Sequence, residues 1–373
     1  MIRLFILQFI FLLCTNVLFS KVEIIDPTVE ESFSFAIVVD NSTFDRIENS
    51  ILEYRDAIQD KDKLSVYVLV VSDEQPNEIR TRINDLYKSS NLEGAVFIGD
   101  VPIPMIRGAQ HMTSAFKMNE NRDWVDSSVP SDRYYDDFDL KFKFLKRDST
   151  NSLLYYYELT PESPQKIDKD IYSGRIKPPV TDDSKYDMIK NYLKKAVAAK
   201  NNPALLDNGF VYTGHGYHSE SLISWRDEAI ALREQFPLMF KIGGKLKHIR
   251  ESPSSDMKEV IMIDLEKEKY DLAVFHAHGS DDAQYLMGYP AAESIQENVK
   301  SIRRFVRSKI RTAKERGRDI EELKNYYKEN YNLTDKWFEG TFVDSVYKAD
   351  STFNYSMDIY SDDLALFSPK PNL

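Results

Sequence analysis

Thiols are almost missing from this sequence. Cys14 is the one cysteine among 373 residues, so no intramolecular disulfide can form and stability has to come from packing. A membrane-spanning run is missing too: the most apolar stretch, residues 4–13, is broken by Gln8 and falls short of the roughly 20 residues a spanning helix needs. Basic residues are outnumbered, 49 Lys and Arg against 60 Asp and Glu for a net charge of -11. That balance argues against nucleic acid or an anionic membrane as the main partner, because phosphate binding needs cations to dominate a face. No repeat of fixed short period runs through the chain, which excludes a solenoid.

What is present points to a folded, exported α/β protein. Arg3, the short apolar run, polar Thr15 and Asn16, and small Ser20 give residues 1–20 the form of a secretory signal peptide. The expected location is therefore secreted or cell-envelope, without a stable span in the mature form. Lipid attachment at Cys14 is an alternative that bulky Leu13 disfavours. An apolar fraction of 42% with 12% aromatic residues is enough to build sizeable cores and is unlike a disordered chain.

Apolar runs at residues 36–40, 64–71 and 95–98 read as strands, and the helical spacing of Phe44, Ile47, Ile51 and Ala57, then of Ile79, Ile83 and Leu86, places helices between them. This β-α-β-α-β order implies a parallel sheet with helices on its faces. Residues 105–164 read as irregular polar surface loops with a hairpin at 140–145 and 153–159, and residues 170–176 as the last strand of a first subdomain, 21–178. A second subdomain, 179–290, opens with a helix at 186–200. Its strands are expected at 209–213, 246–249 and 271–275, with helices at 221–235 and 256–267. The fold class is thus α/β, two tandem doubly wound, mostly parallel sheets. Residues 291–373 carry a charged helical insertion near the C-terminus, with Val299, Ile302, Phe305, Val306 and Ile310 as its apolar stripe and a solvated polar face. The aromatic-rich stretch 337–366 has no clear period.

Ligands and catalytic groups gather at the carboxyl ends of parallel strands, and this sorts the six histidines. His276 and His278 follow the strand 271–275 in DLAVFHAHGS; His215 and His218 follow the strand 209–213 in YTGHGYHSE. His111 and His248 have no such context.

The run ending in His278-Gly279-Ser280 resembles the histidine block of caspase-like cysteine peptidases, the gingipain family in particular. EGAVFIGDVP (93–102), PSDRYYDDFD (130–139) and DIYSGRI (170–176) are similar to blocks of that family, in the same order, over roughly residues 35–280. The resemblance implies a caspase-like fold and a cysteine-type endopeptidase acting on protein or peptide substrates. His278 is then the general acid/base, Gly279 an oxyanion donor and Asp170 a carboxylate that orients the histidine. His215 and His276 would line the substrate cleft. No cofactor is required.

One part of the family pattern is missing: no cysteine follows His278. Ser280, Ser345 and Ser351 lack the context of a nucleophile. Either the cysteine-bearing strand lies beyond residue 373, so that these residues alone are inactive, or the chain is a non-catalytic relative with a binding or secretion-accessory role. A rival class is a metal-dependent hydrolase, with His276, His278, Asp281 and Asp282 as ligands, although no third histidine sits at the usual spacing. Calcium is a further option through Asp132, Asp136, Asp137 and Asp139, against the plainer reading of a solvated acidic loop.

Overall fold

The computed structural model describes residues 22–112, 123–125, 127–203, 205–214, 232–250, 256–268, 270–277, 279, 283–286, 294–315 and 317–365. The expected leader and most of the helix expected at 221–235 lie outside them. The chain divides into two compact units, Met1–Pro203 and Ala204–Leu373. Among the described residues no helix is long and apolar enough to cross a membrane.

The first unit is built on strands β1 (Glu23–Ile25), β2 (Ser34–Asp40), β3 (Ser65–Val71) and β4 (Leu92–Ile98). Later in the chain come β5 (Ile103–Arg107), β6 (Val129–Pro130), β7 (Phe142–Arg147), β8 (Leu154–Leu159) and β9 (Tyr172–Ile176). The main sheet has the order β1-β3-β2-β4-β9 and is parallel except for β1. Every residue of β2 is buried, as expected for a central parallel strand covered on both faces. One face packs α1 (Asn41–Asp62) and α4 (Ser184–Asn201) through Ile51, Ile58, Ile189 and Leu193. The other packs α2 (Pro76–Ser90) through Ile79, Ile83 and Leu86. The start of α1 is fixed by Asp40, whose carboxylate accepts the Thr43 amide at 3.0 Å. That of α2 is fixed by a capping box between Gln75 and Glu78.

Two expectations are corrected here. Residues 105–164 are not loops around a lone hairpin. They include a second sheet of order β6-β5-β8-β7, with β5 parallel to β8 and the other pairs antiparallel. Tyr134 and Tyr135, on the short helix α3 (Arg133–Asp136), and Tyr155 and Tyr157 on β8 are buried in the same core as Phe97 and Ile83. The helix expected to open the second subdomain instead closes the first. α4 packs on the face that carries α1, and Lys200 pairs with Asp62 at the end of α1.

The second unit holds a three-stranded parallel sheet, β11-β10-β12, made of β10 (Asn208–Thr213), β11 (Lys245–Arg250) and β12 (Leu272–His276). Helix α5 (Met257–Lys267) covers the face bearing Phe210 and Tyr212 through Met257 and Ile261. The helical segment that follows, α6 (Ile295–Glu315), α7 (Ile320–Tyr331) and α8 (Asp344–Met357), is tied into this unit. Val306 and Ile310 of the expected stripe are buried with Phe338, while Ile302 and Phe305 remain exposed. Arg307 and Arg311 of α6 both bind Asp350 of α8. Two short strands, β13 (Ala283–Gln284) and β14 (Ile359–Tyr360), pair antiparallel, and Ile359 joins Leu286, Phe210 and Tyr212 in one core. The segment expected as an insertion therefore contributes a strand and core residues to the histidine-bearing unit.

Candidate functional site

The carboxyl end of the second unit's sheet is assembled from the starts of its strands upward. The carboxylate of Asp271, just before β12, accepts the amides of Asp207 and Asn208 at 3.1 and 2.9 Å. This ties the start of β10 to that of β12 and sets their register. The ladder then runs to its last rung, where Thr213 stands opposite His276 and the Gly214 N–H donates to the His276 carbonyl at 2.9 Å. Gly214 tolerates no side chain: a Cβ would lie 2.2 Å from the Tyr212 ring and 2.6 Å from the Leu286 carbonyl. β12 ends at His276, and there the chain leaves the sheet.

Paired residues of a parallel ladder project to the same face, and so do residues two apart on one strand. Thr213, His276 and His248 therefore share a face, with His248 on β11 opposite Val211. The Thr213 hydroxyl and His248 Nε2 are hydrogen-bonded at 3.0 Å. Burial, then the neighbouring Arg250 and His276, hold the His248 imidazole below its ordinary pKa and favour its neutral form. His248 had no strand-end context in the sequence. Its place beside Thr213 follows only from the parallel register of β11 on β10, which a weak, lysine-rich strand does not announce.

Of the expected catalytic residues, Gly279 is described: it is exposed and forms an antiparallel bridge with Gln284. A Cβ on Gly279 would sit 2.9 Å from the Ala283 carbonyl, so a side chain there would press on the strap that carries β13. Leu286 anchors that strap. Its N–H donates to Asp358 at 2.9 Å, and its carbonyl accepts the Tyr212 hydroxyl. His278 and His215 lie outside the described residues, as do Asp281 and Asp282. The metal-hydrolase set is therefore represented only by His276, whose pairing within the ladder is given above.

Asp170 belongs to the first unit, and its described partners are there. Its carboxylate accepts the Phe138 amide at 2.7 Å and its own amide donates to the Asp136 carbonyl at 2.9 Å. The carboxylates considered for calcium are directed to separate partners. Asp132 receives Arg175 at 2.8 and 3.1 Å; Asp136 receives Arg133 and Ser173, each at 2.5 Å; Asp137 accepts the Asp168 amide at 2.9 Å; Asp139 is exposed. Among the described residues no group of three or more His, Cys, Asp or Glu converges as a metal site. The loop is not a plain solvated one either, because Asp136 and Asp137 are buried.

Burial pushes the Asp136 carboxyl up to about 6, with Asp132 and Asp137 adding to the rise and Ser173 and Arg133 opposing it. A carboxyl raised in the folded state favours folding most below its unfolded pKa, and that contribution is lost as pH rises through the folded value. Relative to the native chain, Asp136→Asn should therefore gain about 3 kcal/mol of stability between about pH 4 and about pH 6, then level off. Urea unfolding of both proteins across that range checks it. Two parallel curves would show that Asp136 does not titrate there.

The first unit has its own strand-end cavity, of about 370 Å³, bordered by Asp40, Glu74, Asp100 and Arg147. Its polar groups already serve the fold: Asp40 caps α1 and accepts the Asp100 amide at 2.7 Å, while Asp100 pairs with Lys177 and Lys185. The second unit remains the better candidate for chemistry. No family model matches the chain, and no curated protein or solved structure shows significant similarity to it.

Proposed function

We propose that the chain is the histidine-bearing part of an exported, gingipain-type cysteine endopeptidase with a caspase-like arrangement. The observation that supports this best is that β12 ends at His276, on the last rung of a parallel ladder with β10, where Gly214 donates to its carbonyl. In this reading a cysteine thiolate from a segment outside these 373 residues attacks the peptide carbonyl. His278 gives its proton to the departing amine and then draws a proton from the water that cleaves the acyl-enzyme. The exposed backbone of Gly279 would donate to the oxyanion.

The presence of a single cysteine, Cys14, favours a second reading, a non-catalytic relative. Peptide hydrolysis by the 373-residue chain and by a product that also carries a cysteine-bearing strand separates the two. The chain alone should be inactive. The longer product should be active, lose its activity to thiol alkylation and keep it in a zinc-selective chelator. Inactivity of the longer product would favour the non-catalytic reading. Activity that survives alkylation but not chelation would move the chemistry to a metal.

A further inference from the structure

Charge is unevenly distributed in this acidic chain. Residues 299–318 contain nine Lys and Arg (300, 303, 304, 307, 309, 311, 314, 316 and 318) and one acidic residue, Glu315. Only Arg307 and Arg311 have an ion-pair partner among the described residues, and they share it, Asp350. On a repeat of 3.6 residues per turn, Lys300, Arg304 and Lys314 fall within about 80° of one another, whereas Lys309 is about 180° from Lys300.

The stripe on α6 meets aromatic rings around α8. The Arg304 guanidinium lies 3.6 Å from the Phe353 ring centre, Arg311 5.0 Å from Tyr347 and Lys314 4.3 Å from Phe342. Phe342 and Tyr347 are 49% and 52% exposed, and with Arg311 and Lys314 they line a cavity of about 290 Å³. A cation stacked on a ring is held in place with its N–H groups turned outward, already ordered for a carboxylate.

We propose that this face of α6 and α8 docks an acidic polypeptide segment that also carries apolar side chains. Carboxylates of the segment pair with Lys300, Arg304 and Lys314, and an apolar side chain enters the cavity beside Phe342 and Tyr347. Nucleic acid fits less well, because its bases need open ring faces to stack on and Phe353, Tyr347 and Phe342 each already carry a cation. A uniform polyanion also meets Glu315 and Asp344 in the cavity wall, where a peptide can place a neutral or basic residue.

The test is fluorescence anisotropy of the full chain with a labelled peptide of Glu, Asp and Phe. Its Gln/Asn counterpart, single-stranded DNA and heparin serve as comparisons. The acidic peptide should bind saturably, more weakly as salt rises, and more tightly than the other three. Arg304→Glu, and separately Lys300→Glu, should weaken it about tenfold. Lys309→Glu, the same change of charge on the opposite side of α6, should alter it by less than about twofold. Equal losses in all three variants would reduce the effect to net charge and overturn the proposal. So would tighter binding of DNA or heparin, or no saturable binding of the peptide.

Discussion

On the proposed peptidase reading, replacing His278 with alanine in a product that also carries the cysteine-bearing strand should lower kcat about a thousandfold and leave KM nearly unchanged. The reason is positional. In a parallel α/β sheet, groups that act on a ligand stand where strands end, and β12 ends at His276. His276 is still part of the ladder: its carbonyl is held by Gly214, and its side chain shares a face with Thr213. His276→Ala should therefore act mainly on the packing of that face. A general acid/base is also visible in the pH profile, since the limb that reports imidazole ionisation should vanish in the His278 variant and persist in the His276 variant. A His278→Ala enzyme that keeps a tenth of its rate, or that keeps the limb, would remove His278 from the mechanism. Hydrogen exchange in β12 checks that the strand is intact in both variants.

The second large effect is on stability. Arg175→Met should cost the first unit about 3–5 kcal/mol. Arg175 lies on the edge strand β9 of the main sheet, and its guanidinium spans from that sheet to the acidic loop. It donates to both oxygens of Asp132, to the carbonyl of Val101 at 2.8 Å and to that of Pro102 at 3.1 Å, and it stacks over the Phe97 ring at 5.1 Å. Asp132 and Arg175 expose only 20% and 16% of their side chains, so methionine would leave a mostly buried carboxylate uncompensated and the Val101 carbonyl without this donor, while the Pro102 carbonyl keeps the Tyr135 hydroxyl. Adding Asp132→Leu to Arg175→Met should recover part of the loss, because the stranded charge is removed as well. Urea titration read by hydrogen exchange in β4 and β9 isolates this unit. A loss below about 1 kcal/mol would mean that the pair is solvated in solution.

The core strands were legible because burial on both faces leaves little room for polar residues. Residues 34–40, 65–71 and 92–98 are near-continuous apolar runs for that reason. Of the sheet β6-β5-β8-β7, the β7–β8 hairpin was legible and the rest was not. Pro104 sits within β5, β6 has two residues, and the pairing of β5 with β8 joins segments some fifty residues apart. α4 was recognisable as a helix, but which unit it joins depends on Ile189 and Leu193 meeting Ile51 and Ile58 of α1, which periodicity does not encode. α8 was hidden by a weak apolar pattern. It is held instead by Asp350 against two arginines of α6 and by buried Met357. At the candidate site, the strand-end position of His276 could be read directly, whereas His248 needed the register of β11. Among the acidic residues, sequence showed a cluster where the fold has ion pairs and backbone caps, because composition carries no direction for a side chain.

The strap that carries β13 also sets an order of events in folding. The Leu286 amide finds its partner in Asp358, 72 residues later, and β13 pairs with β14. Closing so long a loop costs entropy that the contacts made on closure have to offset. During folding, β10, β11 and β12 can pair with one another before that loop closes. β13 and Leu286 gain these partners only when residues 358–360 reach them. The strap at β13 is thus fastened later than the parallel ladder whose Tyr212 it holds.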